Sequence, residues 1–212
     1  SATVEEGSWI STSYLVAEII IIPLAAWLTM ILSPRRFAVT ISTIFVIASL
    51  LCSMAWNLES MIVFRALQGL AGGALIPFAF TLILTKLPPD QRPKGMAMFA
   101  ITATFAPSIG PTIGGWLTEN FGWEYIFYIN IVPGILMATG LMYGLDKAKP
   151  RWELLRQGDY FGIVTMAIGL GCLQVFLEEG HREDWFESNL MVALAVISFI
   201  ALVSFVIAQL TR

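Results

Sequence analysis

Of 212 residues, 57% are hydrophobic and 13% are charged, and the formal net charge is -3. So little polar surface excludes an ordinary soluble domain and puts the chain in a lipid bilayer, while a balance near zero gives no ground for nucleic-acid binding.

The opening stretch "SATVEEGSWI" has neither a basic n-region nor a cleavable apolar core, so no signal peptide is expected and the start reads as a cut through a loop. Seven apolar segments follow: Trp9 to Leu32, Phe37 to Trp56, Met61 to Leu87, Gly95 to Leu117, Tyr125 to Leu145, Tyr160 to Leu177 and Leu190 to Leu210. Each is close to the ~20 residues that cross a ~30 Å hydrocarbon core. Lipid offers no partners to backbone N–H and C=O groups, and the runs lack the alternation of barrel strands, so all seven are predicted helices. The predicted fold class is therefore an all-α membrane protein. Breaks such as "SPRR" and "NLES" are short, whereas "DKAKPRWELLRQGD" is long and charged and divides five helices from a final pair.

Ten of the 12 Lys and Arg residues fall on one side of this arrangement: Arg35 and Arg36, then Lys86, Arg92 and Lys94, then Lys147, Lys149, Arg151 and Arg156, and last Arg212. Arg182 falls on the other side, and Arg65 lies within a span. That bias predicts a cytoplasmic basic side, with the Ser1 end periplasmic and the Arg212 end cytoplasmic. All seven tryptophans lie near span ends or in loops, as interface anchors do.

The third apolar segment contains "FRALQGLAGGALIP", which carries an arginine inside a span. On insertion scales that charge costs about 2.5 to 3.5 kcal/mol, which a partner, water or a function has to offset. Counted from Leu58, Arg65 lies ~10 Å deep at ~1.5 Å per residue, and Glu18, counted from Trp9, lies at ~13 Å. The two are expected to share a depth and to face a polar cavity, either paired or near enough to influence each other's protonation, with Glu18 as the proton carrier. Snorkelling of Arg65 to the interface and a static contact for Glu18 are the plainer alternatives.

Gly69, Gly72 and Gly73, followed by Pro77, take bulk off one helix face. "FAPSIGPTIGGWL" repeats the device, with Pro107 and Pro111 four residues apart, Gly110 and Gly114 in small-xxx-small spacing, and Gly115 beside them. Prolines bend a helix and glycines permit close contact at the bend, so this helix is expected to be shaped or to move.

Cys52 and Cys172 fall in apolar runs and read as small buried side chains rather than a disulfide. Asp159 reads as a helix N-cap, and His181 as a solvated residue in the acidic loop "EEGHRED", which has no metal-ligand spacing. Gln174 and Asn130 are expected to form interhelical hydrogen bonds. No phosphate-binding G-x-x-x-x-G-K-[ST] loop supports ATP-driven transport, and no cofactor is expected.

Three stretches on successive helices, with a fourth on an earlier one, then converge. "RALQGLAGG" resembles the fourth-helix motif of the major facilitator superfamily, and "APSIGPTIGGWL" the fifth-helix antiporter motif of its drug efflux members. "GWEYIFYINIVPG" is similar to the start of the sixth helix in the fourteen-span drug:proton antiporters of EmrB/QacA type, and "WISTSYLVAEIIIIPLAAWL" to their second helix. The resemblance implies that residues 1–145 hold helices two to six of an N-terminal bundle whose first helix precedes Ser1. It makes residues 146–159 a cytoplasmic linker and residues 160–212 an extra pair of helices, with a second half following Arg212. It also implies proton coupling at Arg65, beside Gln68 and Gly69, and an antiporter signature at Gly110, Pro111, Gly114 and Gly115. A bacterial inner-membrane location, a small amphiphilic or cationic substrate, protons as the coupling ion and a periplasmic adaptor protein come with the same resemblance. One departure stands out. The family's loop G-x-L-a-D-R-x-G-R-R is here "AWLTMILSPRRF", which keeps Arg35 and Arg36 but has Ala26 for the first glycine and no aspartate.

A secondary transporter working by alternating access is thus the first reading. A non-transporting scaffold or sensor on the same bundle, and export of fatty acids or siderophores, are the alternatives.

Overall fold

The computed structural model describes residues 4–211, with side chains from Gly7 onward. Its elements are α1 (Val4–Leu32), α2 (Pro34–Ser53), α3 (Leu58–Lys86), α4 (Arg92–Asn120), α5 (Tyr125–Tyr128), α6 (Ile131–Gly144), α7 (Glu153–Arg156), α8 (Tyr160–Glu179) and α9 (Asn189–Leu210), with a 3-10 turn at Trp185–Glu187. No strand occurs among the described residues. Seven helical segments there are long and apolar enough to cross a membrane, each overlapping one predicted span. The protein is a multi-pass, all-α membrane protein.

Local chemistry sets the helix ends. Asn57 and Ser60 form a reciprocal capping box at the start of α3, which lets that helix begin three residues before the predicted Met61. Asp159 caps α8 as expected, accepting from Gly162 N at 2.9 Å, and also accepts from Gln209 of α9 at 2.6 Å. The predicted span from Tyr125 is interrupted between α5 and α6. Pro133 supplies no N–H for the carbonyl of Ile129, and the chain turns at Ile129 and Asn130 before α6 continues. Asn130 spends its amide within this turn, donating to Ile126 O at 3.4 Å, so the expected interhelical bond is replaced by a local one.

The centre of the fold is the pair α1 and α3, which run side by side in the same direction: Gly69 lies against Tyr14 and Gly73 against Glu18. Helix α2 packs across α3, and α6 lies on the far side of α2, where Gly134 faces Val46. One apolar cluster joins these layers through Ala25, Phe37, Ala38, Ala74, Phe78 and Leu145, with the Phe37 and Phe78 rings 5.6 Å apart. Prolines 107 and 111 lie inside α4 without ending it, but α4 buries no residue within this chain. A Cβ on Gly110, Gly114 or Gly115 would meet nothing within 4 Å. The small-residue face of α4 is open here, unlike that of α3.

The final pair docks on α1 through a buried carboxylate. Glu179, at the end of α8, is 2% exposed and accepts from Thr12 Oγ1 at 2.6 Å, from Ser8 Oγ at 3.1 Å and from Arg182 Nη1 at 2.9 Å. Arg182 also reaches the Ser8 hydroxyl. His181 is exposed, as expected, whereas Glu179, for which the sequence carries no signal, is buried. Replacing Glu179 with leucine should lower stability by ~1 to 3 kcal/mol, because the Thr12 hydroxyl loses its acceptor in a dry contact. Thermal unfolding in detergent checks this, and Glu179→Gln, which still accepts from Thr12, should lose less.

Candidate functional site

Arg65 is held, not snorkelled. Its Nη1 donates to Gln68 Oε1 at 2.6 Å and its Nε to Ile10 O at 3.4 Å, while the guanidinium carbon stacks 4.4 Å from the Tyr14 ring centroid. Phe127 flanks it at 5.9 Å. Gln68 is 2% exposed and donates in turn to Ser49 Oγ of α2 at 2.8 Å, and the Ser49 hydroxyl donates to Phe45 O at 2.8 Å. The thiol of Cys52 lies 4.0 Å from Gln68 Oε1. A buried charge is thereby dispersed over an amide, a carbonyl and an aromatic face, which is how an intramembrane guanidinium becomes tolerable.

Gln68 is the hub of this network, which links α3 to α2, while Arg65 links α3 to α1. Ser49 and Tyr14 were not picked out from the sequence. Their signal was weak: one hydroxyl in an apolar helix, and one phenol that reads equally well as an interface residue.

Glu18 does not pair with Arg65: the salt bridges among the described residues are Lys86–Asp146 and Arg182–Glu179. Nor do the two share a depth. Ile10 meets Arg65, Tyr14 meets Gly69 and Glu18 meets Gly73, so the Glu18 backbone stands level with a residue eight positions beyond Arg65. That is ~12 Å farther along the helix axis at ~1.5 Å per residue. The equal-depth expectation failed because span edges were counted from Trp9 and Leu58, whereas packing offsets the two helices. Glu18 is half-buried on α1.

Gly69 and Gly73 have an evident task. A Cβ on Gly73 would sit 2.8 Å from both the Cα and the carbonyl oxygen of Glu18, and one on Gly69 would strike the Tyr14 carbonyl. Only glycine allows this approach of α3 to α1.

The other sequence candidates lie elsewhere. Arg35 and Arg36 occupy the first turn of α2, where they line a cavity of about 250 Å³ with Ser33, Lys147 and Ala148. Pro107, Gly110, Pro111, Gly114 and Gly115 are on α4, some of them along a shallow apolar cavity of about 450 Å³ shared with Ile126, Ile129 and Asn130. The structure therefore brings Arg65, Gln68, Gly69, Gly73 and Glu18 onto one helix interface, and sets the α4 signature and the α2 arginines apart from it.

The Major Facilitator Superfamily profile matches residues 1–211 of this chain. The chain belongs to the major facilitator superfamily. Among curated members of that superfamily, the colistin resistance protein EmrB of Acinetobacter baumannii is 42% identical over 197 residues, covering 92% of this chain and 38% of that protein. The multidrug export protein EmrB of Haemophilus influenzae is 36% identical, covering 99% of this chain and 41% of that protein. The fatty acid resistance protein FarB of Neisseria gonorrhoeae is likewise 36% identical, with the same coverage. This chain spans about two fifths of the length of these superfamily relatives.

Proposed function

We propose that the intact protein is a proton-coupled secondary transporter that exports small amphiphilic or cationic drugs by alternating access, and that it is no enzyme. The observation that carries this reading is Glu18. It is a half-buried carboxylate on a membrane helix, outside any ion pair with Arg65 among the described residues and set against a glycine face that lets two helices approach. An ionisable group kept at membrane depth outside an ion pair suits a proton carrier better than a structural role. Arg65, by contrast, is locked by Gln68, Tyr14 and Ile10, and acts as a fixed positive field on the same interface.

The relatives' names support export of multiple drugs, and the fatty acid resistance relative keeps amphiphilic acids within the substrate class. In this reading the helices of residues 4–145 belong to an N-terminal bundle, residues 146–159 form a cytoplasmic linker, and α8 and α9 are an inserted pair joining two halves. The Arg65-bearing interface then opens toward the periplasmic side, the basic side is cytoplasmic, and the location is a bacterial inner membrane. A periplasmic adaptor protein belongs to the same proposal.

The test is transport by the intact protein in inverted membrane vesicles carrying an imposed pH gradient. Addition of lipophilic cations or acids should discharge that gradient. Silence across a broad panel, with the protein folded, would instead favour a scaffold.

A further inference from the structure

Ser33 has φ 74° and ψ 149°, a conformation that L residues rarely adopt, and is only 4% exposed. It stands at the N-cap of α2, yet its side chain caps nothing and its hydroxyl has no hydrogen-bond partner. A buried, unmated hydroxyl calls for an explanation. It lines the cavity of about 250 Å³ whose other walls carry Arg35, Arg36 and Lys147.

Those charges are arranged against the helix. The N-terminus of a helix carries partial positive charge and is stabilised by acids, but the first turn of α2 contains two arginines and no acid. No ion pair to Arg35, Arg36 or Lys147 occurs among the described residues. The neighbouring Asp146 is taken by Lys86 at 2.7 Å, which holds its carboxyl below the ordinary aspartate range. Three cations, a helix N-terminus and an orphan hydroxyl converge on one cavity with nothing negative in it.

A second cavity, of about 800 Å³, shares Ser33 and Ala148 with the first. Its walls are mainly apolar, with Ala25, Met30, Pro77 and Phe78, and Lys149 and Arg151 stand on its polar side. The linker is pinned beneath it by Arg151 N donating to Ile31 O at 2.8 Å. A cationic, anion-binding cavity opening into an apolar trough at the end of membrane helices fits an amphiphile with an anionic head.

We propose that Ser33, Arg35, Arg36 and Lys147 bind the phosphate of an anionic phospholipid from the leaflet on the basic side, with an acyl chain lying in the adjoining apolar cavity. Basic pockets between membrane helices on that side are suited to such heads. The apolar trough argues for a lipid over a free phosphate, which would have no use for it. The site is independent of the transport reading, and its occupancy is measured without gradient or drug.

The experiment uses the intact protein, purified and delipidated in a neutral detergent, titrated with phosphatidylglycerol, phosphatidylcholine and inorganic phosphate. Bound lipid is counted by native mass spectrometry, and protection is followed by thermal unfolding. Phosphatidylglycerol should bind and raise the unfolding temperature, and phosphatidylcholine should do neither. Inorganic phosphate should compete only at far higher concentration. The triple change Arg35→Gln, Arg36→Gln and Lys147→Gln should weaken phosphatidylglycerol binding at least ~10-fold. Ser33→Ala, which leaves every charge in place, should weaken it measurably, while Lys94→Gln with Arg156→Gln, on the same side but outside the cavity, should not. Equal binding of phosphatidylcholine, inorganic phosphate competing as well as the lipid, or equal losses in the outside-cavity variant would overturn the proposal.

Discussion

Glu18→Gln in the intact protein is expected to reduce substrate-driven proton movement to the background of vesicles lacking the transporter, while leaving the protein folded and able to bind substrate. Glutamine keeps the size of the side chain and its hydrogen-bonding capacity but cannot release a proton. Among the described residues Glu18 forms no ion pair, and it is its backbone that meets Gly73. The paired measurement separates the two roles. A pH-gradient assay in inverted vesicles reads coupling, and thermal unfolding in detergent reads integrity. Undiminished proton flux in a folded Glu18→Gln protein would remove Glu18 from the mechanism. Loss of folding together with flux would mean that the carboxylate is structural.

Gly73→Leu should be strongly damaging to the α1–α3 interface. The first added carbon already falls 2.8 Å from the Glu18 backbone and 2.8 Å from the Ile21 side chain, inside van der Waals contact. Backbone cannot swing aside as a flexible side chain does, so α1 must move off α3. Overpacking of this kind costs ~1 to 3 kcal/mol or more. The consequence reaches beyond stability. Displacing α1 pulls Tyr14 from its stacking place on Arg65 and moves Thr12 away from Glu179. Gly73→Leu is therefore expected to lower the unfolding temperature and to weaken the docking of α8, and cysteine cross-linking between α1 and α8 would follow the second effect. Gly73→Ala should show the same signs at smaller size.

The membrane class, the number of apolar helices and their approximate limits were legible in the sequence, because lipid forces backbone hydrogen bonds to close within each run. Long apolar stretches bounded by "SPRR" or "NLES" carry that information locally. The break before α6 was also local in origin, through Pro133, but no apolar pattern marks it. Residues joined across helices were harder to read. Arg65 and Gln68 stood out because polar groups are rare in such segments, and the glycines beside them correctly marked close packing. Their partners Ser49 and Tyr14 are ordinary residues whose role depends on which faces meet. The register of α1 on α3 had the same origin. It is set by where Gly69 and Gly73 admit a backbone, and counting from Trp9 and Leu58 misses it by about a turn and a half. Glu179 carried no signal in the sequence, since acids near a loop are usually solvated and only the docking of α8 on Thr12 buries this one.

The offset between Glu18 and Arg65 has an electrical consequence. Gly73, the level of Glu18, lies fifteen residues beyond Leu58, or ~22 Å along α3, against a hydrocarbon thickness of ~30 Å. In the proposed transport, a proton reaching that carboxylate from the Leu58 end would cross much of the transmembrane voltage drop, which is worth ~2.3 kcal/mol per elementary charge for each 100 mV. Loading of Glu18 would therefore answer to voltage as well as to acidity, and the two components of the ion-motive force would not be interchangeable at this residue.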